Sequence, residues 1–361
     1  MDNLRAGTVV LVLVYHVFYM FNAAGVWGGI GPFREVQYQD GFLYFIYPWF
    51  MILLFALAGA AARYALNKRS HKEFIAARTC KLLVPSTLGL FVFQWLLGYL
   101  NIVNGGGMES LTASIPAGAR GIVIYLIAVI SGTGPLWFAQ LLWLYSLLLV
   151  LIRSVDKGDR LYSLCGKAGV GVTLAAGVLV WGGAQVLNAP MITVYRFGVY
   201  FVAFLLGYYL LSQERVQEGL TKWRWPLLCA AAAMGVGFVA VYWGRNYTDY
   251  AILGSFLTNA YAWTATLAAF GCGRAWLNRE TKASKWLVGK SWGLYVCHYL
   301  PVLAAAIWLK GAGLPAVAVY PLTTLLGGAG ALALYELLRR IPVIRFFVLG
   351  QKKKDTSFSK A

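Results

Sequence analysis

Ten apolar windows of about 20 residues follow one another along the chain, near 6–22, 41–66, 82–100, 134–152, 168–187, 194–212, 226–244, 250–270, 288–309 and 315–338. A helix of that length crosses the roughly 30 Å hydrocarbon core of a bilayer. Water is absent at that depth, so every backbone N–H and C=O must be paired inside its own segment, and a chain patterned this way folds as helices. Composition agrees, with 60% hydrophobic and 12% charged residues against roughly half and a quarter in soluble domains. The expected fold is all-α, a polytopic integral membrane protein of about ten transmembrane helices.

The charges fit that reading. Segments 63–81, 153–167, 215–224, 274–290 and 339–360, together with Arg5, hold 26 of the 31 Lys and Arg residues. These basic segments alternate strictly with poor ones, which predicts both termini in the cytoplasm. The same alternation explains the formal charge of +18 better than nucleic-acid binding does, because the charges sit between apolar spans. The apolar piece 121–130 is short for a span and lies behind Gly132-Thr133-Gly134-Pro135; it reads as a re-entrant or interfacial helix. Asp2 and a single basic residue precede the first window, and no small-x-small site follows, so this segment reads as a retained span and not a signal peptide. Residues 1–345 are expected to form one transmembrane domain and 346–361 a basic cytoplasmic tail.

The five cysteines show no paired spacing, and the three histidines lie far apart, so neither disulfides nor a metal site is expected. Two of those histidines, His16 and His298, fall inside apolar windows, where a titratable side chain is costly and faces a cavity, a partner or a pathway. Arg5 and His16 are eleven positions apart, close to three helical turns, so both stand on one stripe about 16 Å apart along the axis. Tyr15 is the residue beside His16. The bland alternative is a packed histidine bonded to a neighbouring helix, with Arg5 as a flanking topological charge.

Three further stretches carry polar or aromatic groups at span ends. Phe74-Ile75-Ala76-Ala77-Arg78-Thr79-Cys80-Lys81-Leu82-Leu83-Val84-Pro85 places two cations at the start of the third span. Gly134-Pro135-Leu136-Trp137-Phe138 opens the fourth with an aromatic pair, as membrane interfaces favour. Ser291-Trp292-Gly293-Leu294-Tyr295-Val296-Cys297-His298 lies in the ninth; there His298 either hydrogen-bonds across helices or joins the chemistry. Arg196 stands at the outer start of the sixth span, where it either holds an anionic acceptor group or snorkels to the headgroups. Gln140, Asn259 and Glu336 are the other polar residues of the spans.

Taken in order, Arg5, ten residues and His16, then Arg78 and Lys81 before Leu82-Leu83-Val84-Pro85, then Trp137-Phe138, then the Ser291 to His298 helix, the chain resembles the acyltransferase family 3 membrane proteins. It departs at Lys81, where the family commonly has a second arginine, and at Ala58, where serine is frequent. The resemblance implies a membrane O-acyltransferase of the bacterial cytoplasmic membrane. Such a protein moves an acetyl or succinyl group from cytoplasmic acyl-CoA, its co-substrate, to a hydroxyl of a sugar, polysaccharide or lipid-linked glycan. It implies catalytic roles for His16 and Arg5, a coenzyme A site at Arg5, Arg78 and Lys81, and substrate or supporting roles for Tyr15, Trp137, Arg196, Tyr295 and His298. The expected partners are acyl-CoA, the glycan acceptor and membrane lipids. The competing class is a transporter or flippase for a lipid-linked or anionic substrate, with His16, Arg196 and His298 lining its path.

Overall fold

The structure is a computed structural model that describes residues 1–26, 28–156, 158–188 and 195–352. Among these residues every regular element is helical. The helices that frame the interior are α1 (Asp2–Met20), α2 (Asp40–Leu66), α3 (His71–Asn104), α4 (Arg120–Ser131), α5 (Gly134–Val155), α6 (Val170–Ala184), α7 (Phe197–Leu211), α8 (Glu214–Lys222), α9 (Arg224–Tyr242), α10 (Phe256–Trp276), α11 (Lys282–Cys297), α12 (Tyr299–Gly311), α13 (Ala316–Leu338) and α14 (Pro342–Leu349). Six of them, α1, α2, α3, α5, α9 and α13, are long and apolar enough to cross a membrane, and α11 with α12 makes a seventh when taken as one bent span.

Helix α2 is the most enclosed of the six. Its contact with α7 depends on missing side chains. A Cβ on Gly59 would lie 1.9 Å from the Phe204 carbonyl oxygen, and one on Gly207 would lie 2.0 Å from that of Ala56. Between helices in lipid, where hydrophobic driving force is weak, such small residues let backbones approach and dispersion act. Phe55 then stacks on Tyr200 across the same seam, with ring centroids 4.7 Å apart.

Several expectations change in detail. The windows at 168–187 and 194–212 become the shorter apolar helices α6 and α7, and that at 250–270 becomes α10, shifted toward the C-terminus. The piece at 121–130 is helix α4, packed on α3, with the Tyr125 hydroxyl donating to the Phe91 carbonyl at 2.7 Å. The window at 288–309 is not one straight span: α11 and α12 meet at His298 and are bent by 64°. Pro301 explains the bend, since it supplies no N–H to the carbonyl four residues back and its ring crowds that turn. Residues 346–350, assigned on sequence to the tail, pack into the body; Val348 and Leu349 are buried, and the Leu349 carbonyl accepts from Trp292 Nε1 at 3.0 Å. The lysines from 353 onward lie outside the described residues.

Candidate functional site

Helix α1 passes beside the α11–α12 bend, and this brings together two histidines 282 positions apart in sequence. His16 Nδ1 lies 3.0 Å from His298 Nε2. The remaining contacts fix which nitrogen carries each proton. His298 Nδ1 faces two carbonyl oxygens, those of Tyr295 at 2.8 Å and Leu294 at 3.2 Å, so Nδ1 is the protonated nitrogen and Nε2 keeps its lone pair. His16 Nδ1 in turn faces the Val12 carbonyl at 2.8 Å and the His298 lone pair, so it too carries the hydrogen and donates to both. The lone pair of a neutral His16 therefore stands on Nε2, as in any imidazole whose orienting partner occupies the other nitrogen.

His16 lines a cavity of about 140 Å³ whose wall is mostly aromatic. Tyr15, Tyr19, Tyr47, Phe50, Trp137, Tyr200, Tyr295 and Tyr299 contribute rings from α1, α2, α5, α7, α11 and α12. Tyr299 meets the His16 ring edge-on at 4.9 Å, and Tyr15 does so at 5.4 Å from the other side. The Tyr15 and Tyr247 hydroxyls lie 3.3 Å apart, and the Tyr295 hydroxyl donates to the Pro135 carbonyl, which ties α11 to the start of α5. Trp137 packs on Tyr200 at 5.5 Å between centroids. Cavity and histidine pair occupy the half of the bundle away from Arg5, as the spacing of Arg5 and His16 on one helix requires.

Arg5 sits at the opposite end of α1, half-exposed and 3.0 Å from the Asp2 carboxylate. It lies within electrostatic reach of Arg78, as does Arg69. The three form a cationic group at the mouth of the bundle. Arg69 was not singled out on sequence because a charge in a short basic link is ordinarily topological. Lys81 turns elsewhere, with its ammonium 5.7 Å from the Trp292 ring centroid. A π-helical turn at Thr79–Leu83 accounts for this. In an ordinary α-helix residues three apart are neighbours, but the wider turn swings Lys81 off the face of Arg78.

The remaining polar residues pair with the protein and stand outside the cavity lining. Asn259 caps its own turn, donating to the Leu253 and Ser255 carbonyls at 2.9 Å, and Glu336 is paired with Lys290 and Arg339. Gln140 accepts from Tyr195 at 2.5 Å and donates to the Ser86 carbonyl at 2.7 Å. Arg196 does not snorkel; it is 2% exposed, with Nε donating to Asn188 at 2.7 Å and a terminal nitrogen to the Leu253 carbonyl at 3.0 Å. Among the described residues no third metal-ligating side chain joins the two histidines.

An imidazole lone pair opening into an aromatic cavity, with its other nitrogen held, is the arrangement of a general base for a hydroxyl or amine nucleophile. No curated protein and no solved structure matches the chain. The family model of the acyltransferase domain matches residues 1–336, which takes in the cationic mouth, the cavity and both histidines. A match over so much of the bundle settles the family: the chain belongs to acyltransferase family 3 and is a multi-pass membrane enzyme that transfers acyl groups other than amino-acyl groups.

Proposed function

We propose that the protein takes an acyl group from acyl-CoA at its cytoplasmic face and transfers it to a hydroxyl of a cell-envelope glycan or lipid-linked sugar. The observation that carries this reading is the His16–His298 contact, which leaves His16 Nε2 unprotonated and open to the cavity. In this reading the chain crosses the cytoplasmic membrane about ten times with both termini inside. Arg5, Arg69 and Arg78 then face the cytoplasm, where guanidinium groups suit the phosphates of coenzyme A. The pantetheine arm reaches from that mouth to the cavity, a distance set by the three turns of α1 between Arg5 and His16, about 16 Å.

The reaction then runs as a single displacement. The acceptor hydroxyl gives its proton to His16 Nε2 as its oxygen bonds to the thioester carbonyl carbon. The C–S bond breaks, and coenzyme A leaves as a thiol by taking the proton back from Nε2. His298 is a positioning residue: by accepting from Nδ1–H it holds the His16 tautomer and orients the ring, as the third member of a catalytic triad does. Tyrosine and tryptophan rings on the cavity wall suit a sugar, offering flat apolar faces and hydroxyls together.

The test is acyl-CoA turnover by purified protein in proteoliposomes, comparing wild type with His16→Ala. Transfer or thioester hydrolysis that requires His16 supports the reading. Turnover unchanged in His16→Ala, or substrate movement across the bilayer without thioester consumption, overturns it in favour of a transporter.

A further inference from the structure

Tyr47 of α2 lines the same cavity as His16, and among the described residues nothing holds its hydroxyl. The residue is only 9% exposed, yet its phenolic oxygen makes no hydrogen bond. Buried hydroxyls are nearly always paired, because a polar group shut away from water without a partner is destabilising. Two other tyrosines of the wall show the contrast. The Tyr15 hydroxyl is paired with that of Tyr247, and the Tyr295 hydroxyl with the Pro135 carbonyl. An orphan at the wall of a cavity is accounted for by a partner that enters the cavity.

The Tyr47 ring, unlike its hydroxyl, is held on several sides. It stacks on Tyr15 at 6.1 Å between centroids and packs against Tyr247 at 4.8 Å and Phe50 at 6.3 Å. Tyr15 also meets the His16 ring, so the base and the unpaired phenol are both packed on one aromatic ring and open onto one small cavity. A phenol whose ring is fixed and whose O–H is unspent is a preorganised donor.

What it donates to follows from the reaction. His16 Nε2 takes the hydrogen of the acceptor hydroxyl, and a donor aimed at that same oxygen would tie up the lone pair that attacks. The other reacting oxygen is that of the thioester carbonyl. As the acceptor oxygen bonds to the carbonyl carbon, an electron pair of the C=O bond moves onto this oxygen and it becomes negative. Aromatic rings make up most of the wall, and charge that develops against apolar faces needs a hydrogen-bond donor set in place beforehand. We infer that Tyr47 is a catalytic residue: its hydroxyl donates to the thioester carbonyl oxygen and holds the oxyanion of the tetrahedral intermediate. Tyr47 keeps its proton throughout, and the electron pair returns to re-form C=O as the C–S bond breaks. The inference rests on the acyltransferase reading and deepens it by naming the group that meets the developing charge.

The test is thiol release from acetyl-CoA in proteoliposomes, with water alone and with methyl glucoside as acceptor. It compares wild type, Tyr47→Phe, and protein carrying 3-fluorotyrosine at position 47. Tyr47→Phe removes an unpaired hydroxyl and breaks no hydrogen bond, so its thermal unfolding temperature should match or exceed that of wild type. Its kcat should fall about 10²- to 10³-fold with either acceptor, with the KM for acetyl-CoA nearly unchanged, as for loss of an interaction made in the transition state. 3-Fluorotyrosine, a stronger donor of nearly the same shape, should keep kcat at or above the wild-type level. Unchanged kcat in Tyr47→Phe overturns the inference and leaves the acyltransferase reading standing. Unchanged hydrolysis with only the KM for methyl glucoside raised does the same, since the hydroxyl then serves the acceptor. A 3-fluorotyrosine protein as slow as Tyr47→Phe also overturns it, because shape and not the hydrogen bond is then what the residue supplies. No thioester consumption by wild type, with or without methyl glucoside, overturns the reading and the inference together.

Discussion

His298 Nε2 accepts a hydrogen bond from His16 Nδ1 at 3.0 Å, across 282 positions of sequence. Everything proposed for the chemistry depends on that contact, so its members should fail differently.

His16→Ala should lower kcat by about 10² to 10⁴, roughly 3 to 5 kcal/mol of transition-state stabilisation, with little change in the KM for acyl-CoA. His298→Ala should cost less in kcat, about 10- to 100-fold, because the base remains and only its orientation and tautomer are loosened. Steady-state kinetics of the two single variants and the double variant check this. If the two act as one unit, the double variant is no worse than His16→Ala alone.

At the mouth of α1, Arg78→Ala and Arg69→Ala should raise the KM for acyl-CoA several-fold with kcat nearly unchanged, and added salt should blunt the difference. Lys81→Ala should do less, since its ammonium is turned toward Trp292. Binding of coenzyme A to the variants, titrated at two ionic strengths, decides the matter.

Gly59→Ala places a methyl group 1.9 Å from a backbone oxygen that no rotamer change can move. The α2–α7 seam would have to open, at an expected cost of about 1 to 3 kcal/mol or more. Thermal unfolding in detergent should show it, whereas Gly7→Ala, at a position with nothing within 4 Å, should be neutral.

Pro301→Ala restores an N–H in the first turn of α12 and so removes the cause assigned to the bend. The protein should fold, but with kcat reduced about tenfold or more as His298 leaves its place beside His16. Unchanged activity would show that packing, not the proline, sets the bend.

The sequence made some of this legible and hid the rest for physical reasons. Helical periodicity was enough to put Arg5 and His16 on one stripe, because both lie on a single uninterrupted helix. It could not join His16 to His298, since packing between helices far apart in the chain leaves no local pattern. How Arg78 and Lys81 face one another was not legible, because the stretch between them widens into a π turn. The bend at His298 did have a sequence signal, Pro301, which hydropathy alone passes over. Tyr47 was invisible among 22 tyrosines; what marks it is an unpaired hydroxyl on the cavity wall, a property of the folded state.

Two imidazoles in contact within a membrane invite comparison with a relay that carries protons from one side to the other. The Leu294 and Tyr295 carbonyls that face His298 Nδ1 rule that out here, because a carbonyl oxygen accepts a hydrogen bond but cannot take the proton onward. The pair is a dead end for proton conduction. In the reaction proposed above, the proton taken up at His16 Nε2 goes back to the departing thiolate, so turnover is expected to need no proton conduction through the pair.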